Sequence, residues 1–168
     1  MKWFFCLLFS GFILYSTAQD ASPAIPIREQ FPDLPPLSLI QIPDSTRFTR
    51  DSLQKRKPVI VMLFSPDCDH CHHQLKEIHA YSELFKHIHL LLISNLPHSA
   101  IRDFYEGFYL NRYPFIRVAQ DDKRILHSFY QLHQFPSLYC YNKRWKLLRT
   151  FEGNVAVSTL AEVFQLNQ

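Results

Sequence analysis

Two unbroken apolar runs dominate the pattern of the chain, Pro58-Val59-Ile60-Val61-Met62-Leu63-Phe64 and His87-Ile88-His89-Leu90-Leu91-Leu92-Ile93-Ser94. Apolar, largely β-branched runs without polar alternation predict strands covered on both faces. Between them Leu75, Ile78, Tyr81 and Phe85 recur at three- and four-residue spacing, the buried face of a helix. Pro97 and Ser99 open a second helix, running to about Asn111 through Ile101, Phe104, Tyr105 and Phe108. A brief strand is predicted over 116–119 and a short helix over 121–130. Strands over 137–141 and 146–151 flank a turn at Asn142-Lys143. Asn154 then caps a last helix whose apolar face is Val157, Leu160, Val163 and Phe164.

The N-terminal third is less regular. Thr49 reads as the N-cap of a short helix ending near Lys57, because Pro58 disfavours helix in the residue before it. Residues 19–43 hold six prolines and read as an irregular lead-in, with 37–42 as a short edge strand. Strands alternating with helices need parallel pairing, and the closing hairpin adds an antiparallel edge. The expected class is α/β, a central mixed β-sheet flanked by helices.

Composition alters this picture in two places. Met1-Lys2, the apolar stretch Trp3 to Tyr15, and Ser16-Thr17-Ala18 before Gln19-Asp20 have the form of an export signal. The apolar stretch is about a dozen residues, short of the roughly 20 that span a bilayer. Residues 1–18 are therefore expected to be cleaved after Ala18, placing the protein in the periplasm or outside the cell. Removing 18 of 168 residues leaves 150, enough for one domain with a real core. The net charge of +3 is too small to argue for nucleic acid or an anionic surface. The run Lys143, Arg144, Lys146 and Arg149 reads as a charged strand edge that resists aggregation.

Of four cysteines, Cys6 lies inside the export signal, leaving Cys68, Cys71 and Cys140. Three are too few for a disulfide scaffold. Two of them form Cys68-Asp69-His70-Cys71, where the first buried strand gives way to the first helix. At a helix start, unpaired backbone N–H groups and the positive end of the dipole favour a thiolate. The thiolate is the form that attacks a disulfide. The three-residue spacing places Cys71 beside Cys68, one turn deeper. Cys68 is the expected attacking thiol and Cys71 the resolving one. Cys140 reads as a buried, inert thiol in a central strand, with a third redox cysteine as the alternative.

On this motif, the strand before it and Phe135-Pro136 ahead of the hairpin, the chain resembles the thioredoxin-like superfamily over residues 58–164. Its exported TlpA/ResA-type thiol–disulfide oxidoreductases look closest. The resemblance implies a thioredoxin-like domain over 44–168 and an enzyme without cofactor or metal. Its partners would be cysteine-containing exported proteins and an upstream envelope redox partner. In that branch the reaction is reductive, on apocytochrome c cysteines. The resemblance also implies that Pro136 is a cis-proline facing the cysteines and that the Phe135 backbone pairs with a substrate strand. Asp69 and His70 would tune the potential in opposite senses, within a range of roughly −270 to −120 mV among relatives.

The chain departs from the pattern at several positions. Asp67 stands where thioredoxins carry Trp, and Asp69-His70 where they carry Gly-Pro. Thioredoxin's buried Asp falls at Met62 and the ResA-type Glu at Gln74, neither of which ionises. A water or His73 is left as acceptor for the Cys71 proton. A non-catalytic partner-binding module that kept the fold is one alternative, and two rival chemistries remain beside it. Cys68-x-x-Cys71-His72 also matches covalent haem attachment, and the two thiolates with His70, His72 or His73 form a candidate copper or zinc set.

Overall fold

The structure is a computed structural model describing residues 30–166, so the expected export signal and the first part of the lead-in lie outside the described residues. The described strands are β1 (Ser38–Gln41), β2 (Arg47–Thr49), β3 (Val59–Leu63), β4 (His89–Ser94), β5 (Ile116–Gln120), β6 (Ser137–Tyr141) and β7 (Leu147–Glu152). The helices are α1 (Asp69–Ala80), α2 (Ser82–Phe85), α3 (His98–Gly107), α4 (Ile125–Tyr130) and α5 (Val157–Phe164). The strands form one sheet in the order β2-β1-β5-β4-β3-β6-β7. β3, β4 and β5 run parallel, while β6 and β7 on one side and β1 and β2 on the other pair antiparallel. The mixed α/β sheet expected from the alternation is present.

The two apolar runs lie at the centre because each can be covered twice. Successive side chains of a strand point to opposite faces. Along β3, Ile60 and Met62 join Leu90, Leu92, Leu138 and Cys140 beneath the helical face carrying Leu75, Ile78, Ile101 and Leu160. Val59, Val61 and Leu63 enter a second cluster with Leu91, Ile93, Tyr139, Leu126 and Tyr130. β7 is an edge strand, and Arg149 on it is exposed.

Several boundaries differ from the sequence reading, each for a local reason. The lead-in is structured over its second half: β1 lies in it, and Leu34, Leu37, Leu39 and Ile42 are buried. The folded unit thus starts before residue 44, because the apolar side chains between the prolines are spent in the core. The helix expected after Thr49 is one 3-10 turn, Arg50–Ser52. The periodic face through Tyr81 and Phe85 breaks at Tyr81, which is 52% exposed and separates α1 from α2. α3 stops at Gly107, and Tyr109 beyond it has φ +51°. The first turn expected at Asp121 is replaced by its carboxylate, which accepts from the backbone N–H of Ile125, Leu126 and His127 at 2.9–3.0 Å. The N-terminal position of α5 is Ala156, not Asn154.

Candidate active site at Cys68 and Cys71

β3 delivers the chain to the motif through Phe64-Ser65-Pro66-Asp67, and Cys68 is the N-cap of α1. In that position its sulfur meets the unpaired amides of the first turn. The Cys71 backbone N–H donates to Cys68 Sγ at 3.2 Å, and the His72 N–H donates to the Cys68 carbonyl at 3.0 Å. Both cysteines are free thiols in this structure. Cys68 is half-buried, whereas Cys71 is 0% exposed and belongs to the apolar cluster under α1. Burial pushes the Cys71 thiol far above its ordinary value. The neighbouring Cys68 sulfur adds to the rise, and the Ser65 backbone amide only partly opposes it.

The second half of the site arrives on β6. Leu63 at the end of β3 is in register with Ser137 at the start of β6, so the residues before Ser137 emerge at the same end of the sheet as the cysteine motif. There the Phe135–Pro136 peptide is cis. Phe135 packs against both core clusters, with its ring edge-on to His127 at 6.5 Å between centroids.

Two hollows open at this end. One, of about 350 Å³, lies between Pro66, Asp67, His72, Asp103, Phe104 and Phe108. The other, of about 590 Å³, is lined by Leu96, Arg124, His127, Leu132 and Phe135. The first has an acidic rim and the second a basic one. An apolar hollow of about 580 Å³ among Phe31, Pro35, Leu126 and Phe129 contains no thiol.

Among the tuning and proton-transfer candidates, Asp67, Asp69, His70 and His73 are exposed. Met62 is sealed within β3, and Gln74 is 0% exposed. The Gln74 amide donates to the Val155 carbonyl at 3.0 Å and accepts the Val155 N–H at 2.7 Å. An ionised glutamate has no donor and could not satisfy both groups. The chain therefore has a structural reason to carry glutamine where the resembled branch carries glutamate.

His72 Nε2 is engaged by the Pro66 carbonyl, and its ring packs near Phe104 and Phe108. His70 Nδ1 lies 3.0 Å from Asn154 Oδ1, and Asn154 Nδ2 donates to the His70 carbonyl at 2.8 Å. Both histidines are thus held by groups other than the cysteines. Among the described residues no three His, Cys, Asp or Glu side chains converge in a way that could hold a metal ion.

Sequence reasoning missed Asn154 and Val155, which sit against α1 from 84 and 81 residues away. The visible signal, a polar residue ahead of an apolar helix, pointed instead to a cap. It also missed the buried Asp121–His127 pair, 2.8 Å apart. Burial alone would raise the Asp121 carboxyl, but hydrogen bonds from His127 and Ile125 outweigh it and leave the group below the usual carboxylate range. Cys140 sits opposite Ile60, about 10 Å down β6 from Ser137. Burial pushes its thiol up to about 12.

No family model matches this chain, and no curated protein matches it. Solved structures do. StoA from Bacillus subtilis is similar with a TM-score of 0.59 and 15% identity, covering 77% of this chain and 96% of its own. The pneumococcal exposed lipoprotein thioredoxin Etrx1 from Streptococcus pneumoniae scores 0.63 at 17% identity, covering 78% and 98%. Copper-bound ScoI from Arabidopsis thaliana scores 0.59 at 17% identity, covering 76% and 92%. The chain has a thioredoxin-like fold. Within that fold its Cys68–Cys71 motif and cis-Pro136 stand at the same end of the sheet.

Proposed function

We propose that the protein is an extracytoplasmic thiol–disulfide oxidoreductase that exchanges a Cys68–Cys71 disulfide or dithiol with cysteines of exported proteins. The observation that carries this reading is the unequal pair itself. A half-exposed sulfur caps a helix, and a fully buried thiol one turn along donates its backbone N–H to that sulfur. In the reductive direction the Cys68 thiolate attacks a substrate disulfide, forming a mixed disulfide and releasing one substrate thiolate. Cys71 then loses its proton and attacks Cys68 Sγ, breaking the mixed bond and releasing the second substrate thiolate. Two electrons have passed to the substrate, and the protein holds a Cys68–Cys71 disulfide that an upstream dithiol re-reduces. The oxidative direction is the same sequence reversed. Location outside the cytoplasm is supported by the N-terminal signal pattern and by the exposed lipoprotein among the structural neighbours.

Trapping tests the reading. In cells, Cys71→Ser should accumulate dithiothreitol-sensitive adducts joined through Cys68, while Cys68→Ser accumulates almost none. If Cys71→Ser traps nothing under conditions where the unaltered protein cycles, the exchange mechanism is wrong. The copper-bound ScoI structure favours a second reading, in which Cys68 and Cys71 hold copper. His70 and His72 are engaged elsewhere, so this reading needs a ligand from a partner. Stoichiometric copper retained by the purified chain and released by chelator would support it.

A further inference from the structure

Lys143 and Arg144 read from the sequence as part of a charged strand edge, but the fold sets a second basic run beside them. Trp145 Nε1 donates to the Lys57 carbonyl at 3.2 Å, tying the β6–β7 turn to the segment that precedes β3. The turn itself is fixed by the Asn142 side chain, which accepts the Arg144 and Lys146 N–H groups at 2.8 and 3.1 Å. A hollow of about 250 Å³ opens between the two segments, lined by Lys55, Arg56, Lys143, Arg144 and Trp145. All four cations are exposed, and the Arg50 guanidinium lies over the Trp145 ring, 5.4 Å from its centroid. Lys146 is taken by Asp33, whereas among the described residues Lys55, Arg56, Lys57, Lys143 and Arg144 have no carboxylate partner. The excess charge is felt at its edge. Burial lowers the His89 imidazole below its ordinary value, and Lys57 and Arg117 lower it further, against an opposing hydrogen bond from the Gln54 backbone.

We propose that this basic pole is a docking surface for the phosphate headgroups of an anionic bilayer, and that it holds the protein with Cys68 facing away from the membrane. Guanidinium forks and ammonium groups match phosphate oxygens, and clustered cations at a bilayer surface add their attractions. The net charge of +3 hides the pole, because it averages over the whole chain. Its place in the fold selects the occupant. Lys57 precedes β3 and the Cys68 motif follows it, while the turn at 142–146 ends β6 and Pro136 precedes its start. Val59 is in register with Tyr141 and Leu63 with Ser137, so the pole and the thiols stand at opposite ends of the sheet. An acidic redox partner seated on the pole could not reach Cys68 from there. A membrane seated there leaves Cys68 open to every partner.

The test is sedimentation of the chain from Gln19 onward, which keeps every described residue, with vesicles of phosphatidylcholine alone or mixed with an equal amount of phosphatidylglycerol. Binding should require phosphatidylglycerol and weaken as salt rises. Arg56→Gln combined with Arg144→Gln should reduce it roughly 20- to 30-fold, about fivefold for each charge. Lys76→Gln combined with Arg102→Gln removes the same charge from exposed positions on α1 and α3, and should leave binding nearly unchanged. Cys68 should be alkylated as fast on the vesicles as in solution. Equal binding to pure phosphatidylcholine would overturn the proposal. Equal losses in the two double variants would do the same, because net charge alone would then account for the attraction. Protection of Cys68 on the vesicles would put the active-site end, not the pole, against the bilayer. Inorganic phosphate that releases the protein more effectively than chloride at equal ionic strength would assign the hollow to a free anion instead. None of these readouts depends on disulfide exchange, so a failure here leaves the exchange reading standing, and the reverse.

Discussion

Cys71 and Cys140 are sealed into the same apolar cluster on one face of the sheet, and burial raises both thiols. One starts in the first turn of α1, where the helix meets the exposed end of the sheet. The other sits in the middle of β6, opposite Ile60. The difference between them is a neighbour. Cys71 has the Cys68 sulfur within reach of its backbone N–H, and Cys68 is partly open to solvent. Among the described contacts, Cys140 has apolar packing and, opposite it on β7, Arg149, whose charge only partly offsets the effect of burial. Burial by itself makes a thiol inert. On the proposed exchange mechanism, burial beside an accessible sulfur makes one that waits until a mixed disulfide forms next to it.

The largest expected effect tests that contrast directly. Cys71→Ser should abolish turnover of a disulfide substrate and leave the protein stalled as an adduct on Cys68. Cys140→Ala should cycle at close to the native rate. Loss of turnover in Cys140→Ala with the fold intact would show a third redox cysteine and erase the distinction. A smaller effect separates the two on stability. Cys140→Ser places a hydroxyl in an apolar site with no described partner, which costs about 1–3 kcal/mol. Cys140→Ala loses only packing, about 1 kcal/mol. Chemical denaturation that finds the serine variant as stable as the native chain would mean that the thiol is less enclosed than the structure places it.

Much of this contrast was legible in the sequence, and the missing part has a physical cause. The runs at 58–64 and 87–94 could only be buried strands. A Cys-x-x-Cys at the end of the first had to fall on a helix start, whereas Pro136 was singled out by the family resemblance and not by its local pattern. Boundaries failed where a single side chain or backbone angle overrode the pattern. The Asp121 carboxylate takes the place of a first helical turn, and Tyr109 at φ +51° ends α3 despite apolar residues beyond it. The support of the site was invisible because it is made by contacts across 84 residues. Asn154 and Gln74 carry ordinary amides, and nothing in their neighbours announces that one holds an imidazole and the other a backbone pair.

The smallest effect concerns pH, and it treats the two buried thiols as equals. A thiol whose pKa is raised by folding holds its proton more tightly in the folded chain than in the unfolded one. Its contribution to stability is complete below the unfolded value, about 8.5, and is lost as pH climbs toward the folded value. For Cys140 that window runs from about 8.5 to about 12, and for Cys71 it begins at the same point. At pH 9.5 each should have forfeited roughly 1 kcal/mol relative to pH 7. Burial raises Tyr130 and Tyr141 in the same sense, but unfolded tyrosines titrate near 10 and contribute only a few tenths of a kcal/mol by pH 9.5. Under reducing conditions, Cys140→Ala and Cys71→Ala should each remove a similar share of the alkaline loss measured by urea denaturation. If Cys71→Ala keeps the full loss while Cys140→Ala does not, Cys71 is not held as a buried thiol. The two cysteines would then differ in their protonation as well as in their neighbours.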